Sequence, residues 1–139
     1  DGSILLYDNG NKRPGVKTAN LYSRAVQYKL DTANKTATQV WEYKGPPAYY
    51  SPYVCDADRL ANGNVLIGDG GRVSEPGKRI TDKDNVKWGR VLEVTHADPA
   101  EVVFEVEIPR QAQSGKTYHF FYRAERLASL SSAEGSGSR

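Results

Sequence analysis

The pair Asn62-Gly63 constrains this chain more than any other feature. It separates an aromatic-led run, Tyr49 to Leu60, from a short apolar run, Asn64 to Ile67, that ends in Gly68, Gly70 and Gly71. Asn-Gly between two strand-like runs is a strong hairpin signal, because a type I′ turn needs positive φ at both central residues and these two tolerate it. The reading is therefore an antiparallel hairpin from Tyr49 to Gly71.

Pieces of that hairpin recur. Asp1 to Gly10 aligns without a gap on Asn62 to Gly71, so the chain opens inside a turn, and Asp8 falls on Asp69. The alternating run Ser23 to Leu30 matches Gly89 to Val94, placing Arg24 on Arg90. Thr38 to Tyr43 matches Val102 to Val106, and Asp58-Arg59-Leu60 matches Glu125-Arg126-Leu127. Four features repeated in order, each a short strand bounded by turn residues, are the sequence form of an all-β fold of four-stranded antiparallel β-propeller blades. A β-sandwich is the alternative. The expected divisions are 1–48 as the last three strands of one blade, 49–109 as a complete blade, 110–130 as a closing inner strand, and 131–139 as a flexible Gly/Ser tail. Ala124 to Leu130 has some helical propensity, but its match to the hairpin favours a strand.

At 139 residues the chain has the length of one domain and can bury a real core. It has no methionine, and the expectation is a processed or excised piece of a longer polypeptide. The single cysteine, Cys55, excludes an internal disulfide and leaves the redox compartment open. No apolar run is long enough to cross a bilayer. No Gly-rich phosphate motif, zinc spacing or Ser-His-Asp signature is present.

Antiparallel order puts the connections on two rims. One rim takes the long loops, 11–21, 45–49, 72–88 and 109–117; the other takes short turns. The long loops hold ten basic residues, Lys12, Arg13, Lys17, Arg72, Lys78, Arg79, Lys83, Lys87, Arg110 and Lys116, against Glu75, Asp82 and Asp84, while the whole chain is only +2. One basic rim on an otherwise acidic body suits an anionic ligand, and a solvated lysine-rich loop set with no ligand remains the plain reading. Arg24 and Arg90 read as residues tying strands to loops, with Arg24 retained as a candidate for the ligand side. Asp8 and Asp69 read as Asx turns. His96 lies on the short-turn rim and reads as structural, and Cys55 reads as a small buried side chain with no matched base.

The strings Tyr7-Asp8-Asn9-Gly10-Asn11, Tyr22 to Asp31, Gln39-Val40-Trp41-Glu42-Tyr43, Tyr50-Ser51-Pro52 and Tyr122-Arg123-Ala124 resemble the carboxy-terminal third of the arylsulfate sulfotransferase family. The resemblance runs from Asp1 to about Leu127. It implies a six-bladed propeller in the periplasm or cell envelope that moves a sulfuryl group from an aryl sulfate to a phenol, with no cofactor, through a sulfated histidine. It also implies that this nucleophile lies on the inner strand just before the segment matching Asp1, so that the 139 residues alone are inactive. Of the residues present, Tyr122 matches a pocket tyrosine, and Tyr50 and Ser51 begin another pocket wall. The family tends to carry threonine where Val54 stands. His119 resembles a family histidine before the Tyr-Arg-Ala string, with Phe120 and Phe121 intervening. The expected partners are aryl sulfate and phenol substrates and the remaining propeller blades, with neither nucleic acid nor membrane. The competing reading is a non-catalytic propeller that binds an anionic or aromatic ligand, or a protein, on its basic rim.

Overall fold

The structure, a computed structural model, describes residues 2–77, 87–108 and 120–127. It is all-β. Strands β1 (Ser3–Asp8), β2 (Arg24–Asp31) and β3 (Thr36–Tyr43) form one antiparallel sheet, and β4 (Cys55–Arg59), β5 (Val65–Val73), β6 (Lys87–Val94) and β7 (Val102–Ile108) form a second, each in sequential order. One turn of 3-10 helix, Thr18–Asn20, interrupts the loop before β2. The three-stranded sheet lies within residues 3–43 and the four-stranded sheet within residues 55–108.

Strand alternation divides the side chains between faces. Leu5 and Tyr7, Ala25, and Trp41 and Tyr43 turn one face of the three-stranded sheet toward Val65, Ile67, Leu92 and Val94 of the other, and these residues form the core. Ile67, Leu92, Val65 and Val94 are fully buried, each contributing roughly 1.5–3 kcal/mol of apolar transfer. The 95–99 turn closes one end of the seam. There His96 stacks on Trp41 with ring centroids 4.9 Å apart, its Nε2 lies 2.5 Å from Gln27 Oε1, and the Trp41 indole donates to the Ala97 carbonyl across 3.0 Å.

The opposite face of the four-stranded sheet carries the small residues Gly68, Gly70 and Gly89, and residues 120–127 lie across it. The Phe121 ring occupies the space a Cβ at Gly68 or Gly89 would need, and the Phe121 carbonyl stands against Gly70. Arg123 pairs with Asp56 at 3.4 Å and Asp58 at 3.2 Å, and Arg126 pairs with Glu93. The segment thus follows β4 from the end beside Gly70 toward the end beside Leu60.

Three local readings change. The hairpin turn is not type I′: Gly63 alone is left-handed, at φ 87°, and its N–H donates to the Leu60 carbonyl while the Leu60 N–H donates to Asn64, a three-residue connection. The strand after the aromatic run begins only at Cys55, because Val54 sits at φ 49° and the preceding residues bond to the other sheet. Residues 121–127 form no strand, and Phe121 packs on the face of the four-stranded sheet over Gly68 and Gly89. Residues 128–130 lie outside the described residues.

Candidate functional site

The long-loop rim is built around the irregular stretch before β4. After β1, Asp8 Oδ1 accepts the Gly10 N–H across 2.9 Å, and Gly10 turns at φ 76° against the Tyr22 carbonyl, where a side chain would collide. That turn aims two amides across the seam. Asn9 Nδ2 donates to the Ser51 carbonyl and Asn11 Nδ2 to the Pro52 carbonyl, each across 2.7 Å, while the Tyr50 hydroxyl donates to Asn11 Oδ1 across 2.6 Å. The Ser51 N–H donates to Ser23 Oγ across 2.8 Å, and the Ser23 N–H donates to the Tyr49 carbonyl across 2.8 Å. Backbone groups that a strand would have paired are thereby satisfied from the other sheet.

Beneath this stretch lies a buried polar chain. The Tyr7 hydroxyl donates to Asp69 Oδ1 across 2.7 Å, and Arg90 Nη2 and Nε donate to Asp69 Oδ2 across 2.6 and 3.0 Å. Asp69 is fully buried. Burial pushes its carboxyl above the ordinary range, against the pull of Arg90 and of the Tyr7 hydrogen bond. Burial first, then the Asp69 charge, pushes the Tyr7 phenol well up, so it stays a donor. Arg90 continues to Glu105 across 3.2 Å. The same arrangement recurs on the outer face of the three-stranded sheet, where Arg24 takes Asp8 at 3.0 Å, Glu42 at 2.8 Å, Gln39 at 2.9 Å and the Tyr28 hydroxyl at 3.2 Å. In both sheets an arginine on one strand clamps an aspartate and a glutamate on its two neighbours. The repeated arginines therefore tie strand to strand, not strand to loop. Asp8 keeps the expected Asx turn, whereas Asp69 uses its carboxylate across the seam.

Tyr50 and Ser51 are buried at 6% and 0% exposure, with the Tyr50 hydroxyl committed to Asn11 and Ser51 Oγ 3.0 Å from Cys55 Sγ. Arg24 stands on the face turned away from them. Tyr122 is 77% exposed on the segment that crosses the far face of the four-stranded sheet. His119 lies outside the described residues. Burial raises the Cys55 thiol above its usual range, which keeps it protonated and a poor nucleophile. Among the described residues no cluster of His, Cys, Asp and Glu could hold a metal.

Tyr7, Arg72 and Trp88 escaped sequence reasoning as a group. The aromatic at position 7 stands where the second repeat has Gly68, and that mismatch was the available signal. At the rim, Ala48 to Tyr50, Asn20 to Tyr22, Arg72 to Ser74 and Trp88 line a cavity of about 510 Å³ between the sheets.

The family model described as arylsulfotransferase (ASST) matches residues 1–123. An arylsulfate sulfotransferase of Escherichia coli O6:H1 (strain CFT073) is 30% identical over 129 residues, which cover 88% of this chain and 20% of that protein. An arylsulfate sulfotransferase of Lelliottia amnigena is 29% identical over 79 residues, covering 52% of this chain and 13% of that protein. The chain spans a fifth or less of the length of these curated relatives.

Proposed function

The chain belongs to the arylsulfotransferase family, and from that membership we propose that it is part of an enzyme moving a sulfuryl group from an aryl sulfate to a phenol. The observation that carries this reading is the extent of the match, which takes in both sheets and the segment crossing the second one. The reaction divides into two displacements at a nucleophilic histidine. A ring nitrogen attacks sulfur, an N–S bond forms, the S–O ester bond breaks and the donor phenolate leaves. The acceptor phenol then gives its proton to a base and attacks the same sulfur, restoring the free histidine.

That histidine belongs to sequence ahead of this segment. His96 supports the assignment, because its ring is engaged with Trp41 and Gln27 on the short-turn rim. Within this chain Tyr122 is the donor to the sulfuryl or phenol oxygen, where negative charge grows in the transition state. The Tyr50-Ser51 stretch supports the pocket wall through its backbone staples, and Arg24 ties the three strands of its sheet together through Asp8 and Glu42. His119 is reserved for proton transfer or packing at the same rim. The remaining blades of a propeller are the partners, which accords with Phe104 and Val106 being about half exposed on the sheet face that residues 120–127 only partly cover. The periplasm or cell envelope is the proposed location.

The test is sulfuryl transfer by the full-length protein from 4-nitrophenyl sulfate to phenol, read as released 4-nitrophenol and phenyl sulfate. Transfer with an acid-labile sulfohistidine is expected, and the 139 residues alone should turn over nothing. A folded full-length protein that transfers no sulfuryl group, although a histidine is present on the preceding strand, overturns the proposal.

A further inference from the structure

The residues on either side of Tyr122 are pinned to the four-stranded sheet, and Tyr122 itself is not. Its side chain is 77% exposed, and among the described residues its hydroxyl has no hydrogen-bond partner. Before it, the Phe121 ring fills the space over Gly68 and Gly89, and the Phe121 carbonyl stands against Gly70. After it, Arg123 Nε lies 3.4 Å from Asp56 Oδ2, and Arg123 Nη2 donates to Asp58 Oδ2 across 3.2 Å. Both aspartates belong to β4. Ala57 between them packs on the core, so strand alternation sends the two carboxylates to the outer face together, opposite Gly68 and Leu66 of β5. Glu125 also lies 3.3 Å from Arg123 Nε, but it rides on the same segment and ties it to nothing else.

Stability is a poor reason for this arrangement. The Arg123, Asp56 and Asp58 side chains are 55%, 30% and 41% exposed, ion pairs so open to water add little to folding, and the two carboxylates repel each other. What two acids supply that one cannot is direction. A guanidinium carries its donors in a rigid planar fork, so seating Nε on one carboxylate and Nη2 on the other fixes the plane of the group as well as its place. With Phe121 and Arg123 both held, the backbone at 122 is held between them, and its Cα–Cβ bond follows. We propose that Asp56 and Asp58 are positioning residues, which through Arg123 set the place from which the Tyr122 hydroxyl donates. The catalytic consequence rests on the transfer reading above; the placement of Tyr122 rests on the segment's own geometry.

The experiment uses full-length protein labelled with 3-fluorotyrosine, with the Tyr122 fluorine resonance assigned by Tyr122→Phe, alongside kinetics of transfer from 4-nitrophenyl sulfate to phenol. Asp56→Asn combined with Asp58→Asn keeps both side-chain shapes and removes both charges, and it should shift or broaden the Tyr122 signal. Arg123→Lys keeps the charge without the fork and should move the signal less. In transfer, the double substitution should lower kcat about tenfold with KM held within about twofold, because Tyr122 acts on charge that grows only in the transition state. The losses should not add: in a Tyr122→Phe background the double substitution should lower kcat no further, whereas a general weakening of the fold would lower it again. An unmoved Tyr122 signal in the folded double variant overturns the proposal, and so does a full further loss of kcat in the Tyr122→Phe background. If the double variant fails to fold, Arg123→Lys, a change at a half-exposed position, decides the question by the same signal. A full-length protein that transfers nothing sinks the transfer reading, and the fluorine signal still decides whether the two aspartates place Tyr122.

Discussion

Tyr7 on the three-stranded sheet and Asp69 on the four-stranded sheet meet across 2.7 Å, the hydroxyl donating to a carboxylate that Arg90 holds from its other side. They are 62 positions apart in sequence. Tyr7→Phe keeps the ring and removes the donor, leaving a fully buried carboxylate oxygen short of one hydrogen bond. A loss of about 1–3 kcal/mol is expected. Asp69→Ala takes from Arg90 its buried partner and leaves it Glu105 at 3.2 Å, a half-exposed carboxylate, and should cost more, about 3–5 kcal/mol. Urea unfolding of the full-length variants measures both, and equal losses would contradict the ordering.

His96 makes the seam sensitive to acid. Burial, followed by the nearby charge of Arg59, holds its imidazole below the ordinary histidine range. As pH falls through that range the unfolded chain takes up a proton that the folded ring resists, so stability declines with acid and recovers as pH rises. The urea midpoint should drop between pH 7.5 and 5.5, and His96→Gln should reduce that drop. A variant with the same pH slope as the parent would remove His96 from this role.

Gly70 and Gly68 should respond differently to alanine. A Cβ at Gly70 would strike the backbone carbonyls of Phe121 and Val54, while one at Gly68 comes 3.1 Å from a Phe121 ring carbon. Backbone on both sides cannot give way as a ring edge can. Gly70→Ala should therefore cost about 1–3 kcal/mol and loosen residues 120–127, with Gly68→Ala milder. Faster amide exchange over 121–127 in the first variant and near-parental exchange in the second is the expected pattern.

Tyr122 provides the functional test within this chain. At 77% exposure its hydroxyl can be removed without opening a core. Tyr122→Phe in the full-length protein should leave the melting temperature unchanged and lower kcat for aryl sulfate turnover by about tenfold or more, as loss of one transition-state donor does. Parental kcat would show that this hydroxyl takes no part.

Periodicity and repetition made the strands legible. Asp8 and Asp69, like Arg24 and Arg90, could be aligned by eye, and the sheets pair Asp8 with Arg24 and Asp69 with Arg90 in register. What each pair touches could not be read, because it depends on which face has a neighbour. Asp69 looks across at Tyr7 and is buried, while Asp8 faces outward and keeps Gly10 and Arg13. The turn at Gly63 was misjudged for a different reason: Asn62 spends its side chain on Glu93 and the Asn64 N–H, with left-handed backbone needed only at Gly63. The rim cavity was hidden because Tyr22, Tyr50, Arg72 and Trp88 come from four separate stretches and no short motif contains two of their contacts.

The two amide staples, Asn9 to Ser51 and Asn11 to Pro52, also dictate how this sequence can be recombined with its relatives. They bridge 42 and 41 positions, so a chimera joined anywhere between residues 12 and 50 would take its donors from one parent and its acceptors from the other. Because the acceptors are backbone carbonyls, side-chain identity at 51 and 52 matters less than the path the chain takes there. Crossovers before residue 9 or after residue 54 keep each clasp within one lineage, and exchange of the two stretches as a matched pair is the smallest inheritable unit of this rim.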